Sequence, residues 1–108
     1  MKQVEHIGIA VRSLETSIPL FTTILKTECY KTEEVESEKV RTAFFQHGET
    51  KVELLESFDE NGVIAKFIEK KGEGIHHLAF EVKNIEEALW APVNQQGFAK
   101  VKELFGGK

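Results

Sequence analysis

The chain has 108 residues, a formal net charge of -4 and an isoelectric point near 5.6. Its length suits one domain, and 41% hydrophobic with 30% charged residues is typical of a folded soluble protein, not of a disordered one. The acidic balance argues against nucleic acid or an anionic membrane as a partner, because both require basic patches.

The cysteine count and the search for targeting segments indicate the cellular compartment. Cys29 is the only cysteine, which excludes an intrachain disulfide and favours a reducing environment. No apolar run approaches the roughly 20 residues of a membrane helix, and the early charges Lys2 and Glu5 do not fit a signal peptide. We therefore expect a cytoplasmic protein.

The first 25 residues predict a strand followed by a helix. Residues 3–11 form a β-branched apolar run with His6 near its start, as in a buried strand. Ser13 is a suitable N-cap for a helix over about 14–25, and Pro19 lies inside that helix. The spacing of four apolar residues indicates one buried face: Leu14, Ile18, Phe21 and Leu25.

Three further strands are predicted before residue 57. Strand-like patterns cover 29–35, 40–46 and 51–56, with a charged break at 36–39 and a turn at 47–50. Residues 3–56 therefore predict a βαβββ module.

A connector and a second, shorter module follow. Residues 57–62 are polar and turn-rich, and a short helix beginning at Val63 ends in Lys70, Lys71 and Gly72. A strand over 75–82 comes next, then a helix capped by Asn84, with Glu87 completing a capping box. Its buried face comprises Ile85, Ala88, Leu89 and Val93, and a last strand covers 98–104, so the second module ends at βαβ.

The second module begins like the first. The run 77–86 matches the run 6–15 in residue type at nearly every position, with His77 on His6 and Ala79 on Gly8. The offset of 71 residues is longer than a solenoid repeat and suits a duplicated module.

The repeat places chemistry-bearing residues together. If the modules pack about a pseudo-twofold axis, His6 and His77 become neighbours. Strand alternation separates Glu53 from Val52 and Leu54 and turns its carboxylate toward the opposite face. Two imidazoles and a carboxylate suit a divalent metal, while the alternative for each histidine is a polar side chain satisfied within the fold. His76 is a weaker candidate, because strand neighbours face opposite ways.

Three segments together resemble one family. They are His-Ile-Gly-Ile-Ala-Val at 6–11, Lys-Val-Glu-Leu-Leu-Glu at 51–56, and 64–82, which contains Glu-Lys-Lys-Gly-Glu-Gly-Ile-His-His. The chain resembles the methylmalonyl-CoA epimerases of the vicinal oxygen chelate superfamily from about residue 3 to 105. The last segment is closer to the epimerases than to other members.

The resemblance implies an α+β fold, the vicinal oxygen chelate fold of tandem βαβββ modules, with the second module truncated to about βαβ. Residues 1–108 would form a single domain. Module one is expected at about 3–56, a connector helix at about 57–73, and the incomplete module two at about 74–108.

The resemblance also implies a metal site. His6, Glu53 and His77 match metal-ligand positions, the second of which is Gln in some members. A fourth ligand, a Glu, would be the counterpart of Glu53 at position 124, past the last residue of this sequence. The expected cofactor is a divalent ion, Co²⁺ first, with Mn²⁺, Ni²⁺ or Zn²⁺ as alternatives. A catalytic carboxylate of some members falls on Thr42, which cannot abstract a proton, so no catalytic residue is assigned.

The implied reaction is interconversion of (2R)- and (2S)-methylmalonyl-CoA by α-proton abstraction with a metal-stabilised enolate. The expected partners are a CoA thioester substrate and a second copy of the chain, because an incomplete module leaves a sheet edge to pair. We expect an isomerase. Because these 108 residues lack the Glu that would be the fourth ligand, we make no prediction of whether they are active alone. The alternatives are a glyoxalase-like lyase, a dioxygenase-type relative, or a non-catalytic small-molecule binding module.

Overall fold

The computed structural model describes residues 3–81 of the chain. This part contains five strands and two α-helices, in the order β1 Gln3–Ala10, α1 Leu14–Leu25, β2 Lys31–Val35, β3 Val40–His47, β4 Thr50–Ser57, α2 Val63–Lys71 and β5 Gly74–Glu81. The predicted helix that begins after Asn84 and the predicted strand 98–104 lie outside the described residues. Neither α1 nor α2 is long and apolar enough to cross a membrane.

The predicted βαβββ order for the first module is confirmed, and the fold class is α+β. Helix α1 has the predicted bounds and continues through Pro19. The largest difference is at β2, which begins at Lys31 instead of residue 29. The charged break forms a 3-10 turn, Glu36–Glu38, and Lys39 closes it in the left-handed conformation.

The strands form one mixed sheet in the order β2-β3-β4-β1-β5. Strand β1 runs parallel to β4 and antiparallel to β5. The opening strands of the two repeated runs are therefore neighbours, as the pseudo-twofold arrangement requires. Their register pairs His6 with Ala79 and His77 with Gly8.

Helix α1 packs on one face of the sheet. Leu14 contacts a core that includes Phe45 and Leu54, both fully buried. The predicted helix face is confirmed, since Ile18, Phe21 and Leu25 also pack against this core. The start of α1 is capped by the Ser13 hydroxyl, which accepts a hydrogen bond from the Thr16 amide at 3.3 Å.

Helix α2 covers one end of the opposite face. Its Ile64 packs on Ala10, Val40 and Leu55, which alternate with the residues facing α1. A cavity lies next to this contact, on the face of the sheet opposite α1. Helix α1 therefore covers one face, while the other face lines an open site.

Candidate metal centre

His6, Glu53 and His77 converge on the cavity face from three adjacent strands. Gly8 lies at the centre, since its register partners are Glu53 on β4 and His77 on β5. His6 precedes Gly8 by two residues and therefore lies on the same face. The prediction that these three side chains meet agrees with the geometry of the sheet.

The donor atoms are close enough to share one ion. The Nε2 atoms of His6 and His77 lie 3.1 Å apart, and one donor atom from each of the three residues lies within 4.8 Å of the others. Two nitrogens bound to one ion at about 2.0–2.1 Å each, at neighbouring coordination positions, would be about 3 Å apart. The arrangement of two imidazoles and a carboxylate therefore fits a divalent transition-metal ion.

Burial shapes the electrostatics of this cluster. The His6 and Glu53 side chains are only 19% and 15% exposed, and His6 Nδ1 lies 3.8 Å from Glu53 Oε2. Burial raises the pKa of the Glu53 carboxyl above its ordinary value, and the nearby Glu5 adds to the rise while His6 opposes it. A cation at the site would offset the cost of this buried negative charge.

Gly8 provides the space that His77 occupies. A Cβ atom on Gly8 would overlap the His77 ring, lying 2.6 Å from both of its nitrogens. Only a residue without a side chain therefore lets the His77 imidazole cross β1 toward His6. Gly8 was not predicted from the sequence to be a site residue.

The strand pair β1/β5 contains two irregularities at the site. The pairing moves from Val4–Phe80 to His6–Ala79, which leaves Glu5 as an extra residue on β1. It also moves from Gly8–His77 to Ile9–Ile75, which leaves His76 as an extra residue on β5. Bulges of this kind interrupt the regular alternation of side chains and re-aim them.

The prediction that His76 would face away from His77 is wrong. Both histidines line the cavity, and their Nδ1 atoms lie 3.0 Å apart. The cause is the bulge at His76, which breaks the alternation on which the prediction depended. The His76 ring also packs edge-on against Phe67 of α2, with ring centroids 4.9 Å apart.

Glu5 is a second site residue that sequence reasoning missed. Its carboxylate accepts a hydrogen bond from His6 Nδ1 at 2.5 Å and another from Lys51 Nζ at 2.9 Å. These bonds hold the pKa of Glu5 below its ordinary value, with His6 making the largest contribution. Glu5 and His76 occupy equivalent positions of the repeat, since 71 residues separate them as 71 separate His6 from His77, but their residue types differ.

The cavity beside the cluster has a volume of about 300 Å³ and a mixed lining. Phe44, Leu55 and Ile64 supply apolar wall, while Glu33 and Thr42 supply polar groups. Thr42 and Glu33 are register partners on β3 and β2, so a carboxylate faces the cavity directly across from the threonine. The cavity is of the size that holds part of a small-molecule ligand.

Glu56, the last acidic residue of the 51–56 segment, has a structural role. Its carboxylate accepts a hydrogen bond from the Leu14 amide at 3.2 Å and one from the Arg41 guanidinium at 3.3 Å. A carboxylate at a helix N-terminus satisfies an unpaired amide and interacts favourably with the helix dipole. Glu56 therefore ties the start of α1 to the sheet.

Comparison with known proteins places this chain in a family. Residues 5–105 match the model of the Glyoxalase/Bleomycin resistance protein/Dioxygenase superfamily. The uncharacterized protein YqjC of Bacillus subtilis is 39% identical over 95 residues, which cover 88% of this chain and 68% of that protein. The human mitochondrial methylmalonyl-CoA epimerase is 33% identical over 88 residues, which cover 81% of this chain and 50% of the human protein.

A solved structure agrees. The crystal structure of methylmalonyl-CoA epimerase from Mycobacterium tuberculosis aligns with a TM-score of 0.71 and 29% identity, over 81% of this chain and 59% of that one. The chain thus spans about half the length of the human epimerase it matches. The superfamily resemblance seen in the sequence is confirmed: the chain belongs to the Glyoxalase/Bleomycin resistance protein/Dioxygenase superfamily.

Proposed function

We propose that this chain carries the metal-binding half-site of a methylmalonyl-CoA epimerase and takes part in interconverting the (2R) and (2S) forms of that CoA thioester. One observation carries the proposal: His6, Glu53 and His77 bring three metal-ligand atoms within 4.8 Å of one another. Relatives named as methylmalonyl-CoA epimerases support the choice of substrate.

The chain's own residues would hold the ion. His6 and His77 would each supply a neutral imidazole nitrogen, and Glu53 would supply a carboxylate whose buried negative charge a cation would compensate. A divalent ion held there, Co²⁺ first and Mn²⁺, Ni²⁺ or Zn²⁺ as alternatives, acts as a Lewis acid toward carbonyl oxygens. That chemistry suits a substrate whose reacting carbon lies between a thioester and a carboxylate.

Proton removal from that carbon needs a base on the cavity wall, and Glu33 is our candidate. It lies across from Thr42, at whose position the family resemblance places a catalytic carboxylate. Both residues line the cavity, and Glu33 also raises the pKa of Glu53 through charge repulsion, as a nearby carboxylate does. Glu33 would accept the α-proton from the substrate, in the role of a general base.

The proposal is tested by hydrogen exchange at the substrate's α-carbon. The protein is incubated with Co²⁺ and methylmalonyl-CoA in D₂O, and deuterium at the α-carbon is followed by NMR. We expect metal-dependent exchange that is lost in His6→Ala and falls at least about 100-fold in Glu33→Gln, the scale of a lost general base. Exchange no faster than in a protein-free Co²⁺ control would contradict the proposal. This readout detects one proton transfer and does not require the complete epimerisation.

The superfamily match also leaves a glyoxalase-like lyase, a dioxygenase-type relative and a non-catalytic binding module as alternatives. Thr42 in place of a catalytic carboxylate is the feature that favours the binding module. Turnover of a glutathione hemithioacetal in preference to the CoA thioester would identify the lyase. Tight CoA-thioester binding without any α-proton exchange would identify the binding module.

Two broader expectations accompany the proposal. We propose a cytoplasmic location, and self-association into a homodimer through an outer strand of the sheet. Within residues 3–81 the outer strands are β2 and β5. Strand β2 is exposed along its length and carries Lys31, Glu33 and Glu34, charges that discourage strand pairing, so β5 is the better surface. A strictly monomeric mass by light scattering would exclude the dimer.

A further inference from the structure

The two bulges in the β1/β5 pair occupy equivalent positions of the repeat. Glu5 is the extra residue on β1 and His76 the extra residue on β5, and 71 residues separate them, the same spacing that separates His6 from His77. Each bulge therefore immediately precedes a histidine of the metal cluster. A β-bulge at this position turns two consecutive side chains toward a common site, which regular alternation would prevent.

Each of these extra residues contacts the same atom of the histidine that follows it. Glu5 Oε1 lies 2.5 Å from His6 Nδ1, and His76 Nδ1 lies 3.0 Å from His77 Nδ1. The far nitrogens of the two histidines are the pair that meet, since Nε2 of His6 and Nε2 of His77 are 3.1 Å apart. In both halves of the repeat, Nδ1 points to the preceding residue and Nε2 to the other histidine.

We propose that Glu5 and His76 are positioning residues, each of which holds Nδ1 of the following histidine so that its Nε2 faces the ion. The inference rests on the metal site put forward as part of the proposed function. Neither residue would touch the ion: they act through His6 and His77. Partners of this kind on a ligand histidine fix its ring orientation and the position of its proton.

The residue types suit the task in different ways. A carboxylate can only accept hydrogen bonds. The hydrogen bond between His6 and Glu5 therefore places the ring proton of His6 on Nδ1 and leaves the Nε2 lone pair for a metal. His76 is an imidazole, which either donates or accepts through Nδ1. When His77 Nε2 is a metal ligand, His77 Nδ1 carries the ring proton and donates a hydrogen bond to His76 Nδ1.

Both positioning residues are themselves held in place. Lys51 donates to the second oxygen of Glu5 at 2.9 Å, which fixes the carboxylate beside His6. The ring of Phe67 packs edge-on against His76, so helix α2 supports that side of the site. Each ligand histidine is thus held by the residue before it, and that residue is held in turn by Lys51 in one half and by Phe67 in the other.

The experiment compares loss variants with matched controls in the 108-residue protein. Glu5→Leu and His76→Leu remove the two contacts, whereas Glu5→Gln keeps an acceptor oxygen. The controls are Glu34→Leu, a strand glutamate whose ion pair is with Arg41, and His47→Leu, an exposed strand histidine. Calorimetry measures Co²⁺ affinity for every protein, and ¹⁵N NMR of the imidazole nitrogens reports the proton position of His6 and His77 without metal.

We expect Glu5→Leu and His76→Leu to weaken Co²⁺ binding by about 10–100-fold, as is usual for loss of such a partner. Glu5→Gln should recover part of the affinity, and both controls should bind like the wild type. In the metal-free protein, Glu5→Leu should move the His6 proton away from Nδ1, a change that a loss of stability alone does not produce.

Unchanged Co²⁺ affinity in both leucine variants, beside a clear loss in His6→Ala, would overturn the positioning role and leave the proposed metal site intact. Co²⁺ binding that His6→Ala does not weaken would overturn the metal site itself. In that second case the metal-free spectra still decide the inference: a His6 proton position unaffected by Glu5→Leu overturns it.

Discussion

His6 and His77, 71 residues apart in the chain, present their Nε2 atoms to each other at 3.1 Å. Without an ion, one of these nitrogens must carry a proton and donate a hydrogen bond to the other, because two lone pairs at that distance would repel. A cation between them would let both act as acceptors and would also neutralise Glu53.

Metal should therefore stabilise the folded protein. A ligand that binds only the native state adds about 2.7 kcal/mol when its concentration is 100 times its Kd. We expect Co²⁺ to raise the Tm by several degrees and a chelator to reverse the rise. Differential scanning calorimetry measures this, with His77→Ala as the control that should not respond. An equal rise in His77→Ala would assign the effect to a different site.

Glu53→Gln should stabilise the metal-free protein and weaken metal binding at the same time. The carboxylate is buried and its pKa is raised, so its charged form is disfavoured in the fold. At neutral pH the amide removes that unfavourable charge, and a gain of about 1 kcal/mol would raise the Tm by about 4–8 °C. A variant with lower Tm at neutral pH would contradict this electrostatic account.

The same pKa shift gives the effect a pH dependence. Because the folded protein binds the Glu53 proton more tightly than the unfolded chain does, stability falls as the pH rises from the ordinary value of 4.5 through the raised value. The advantage of Glu53→Gln should therefore grow as the pH rises above 4.5 and vanish below pH 4.5. Urea titrations of both metal-free proteins across this range measure the difference.

Gly8→Ala should damage the site more than the fold. The added methyl group overlaps the His77 ring and must displace it from His6, so Co²⁺ affinity should drop at least about tenfold. The matched control is Gly48→Ala, where the backbone has a φ of +64° and no atom lies near the new Cβ. The control should lose stability through backbone strain and keep its metal affinity. Equal affinity in the two variants would mean that Gly8 does not position His77.

The core under α1 should behave as a close-packed interior. Leu54 is fully buried beside Phe45, and it follows Glu53 on the opposite face of the sheet. Leu54→Ala should cost about 2–5 kcal/mol of unfolding free energy, whereas Leu20→Ala at a 53% exposed position should cost far less. Chemical denaturation measures both. A loss of unfolding free energy in Leu54→Ala no larger than in Leu20→Ala would contradict the assignment of Leu54 to the close-packed core.

Much of the fold followed from the sequence because its patterns are local. The spacing of Leu14, Ile18, Phe21 and Leu25 determines one helix face, and Ser13 marks its start. The repeat of His6 at His77 pointed to paired strands, and alternation placed Glu53 on the cavity face.

The missed features depend on pairing between strands. His76 and Glu5 face the site because bulges shift the register of β1 against β5, and single-strand alternation contains no trace of such a shift. Gly8 is required because the His77 ring, from the neighbouring strand, occupies the space where a side chain of residue 8 would lie. This contact can be recognised only once the register is known. Cys29 was expected inside β2 but precedes it, while still packing against the core as a free thiol.

The central claim is that His6, Glu53 and His77 form one metal site, and titration calorimetry with Co²⁺ tests it most directly. We predict saturable binding of one ion per chain, lost in both His6→Ala and His77→Ala and unchanged in His47→Ala, an exposed histidine on β3. Wild-type affinity in both His6→Ala and His77→Ala would contradict the claim.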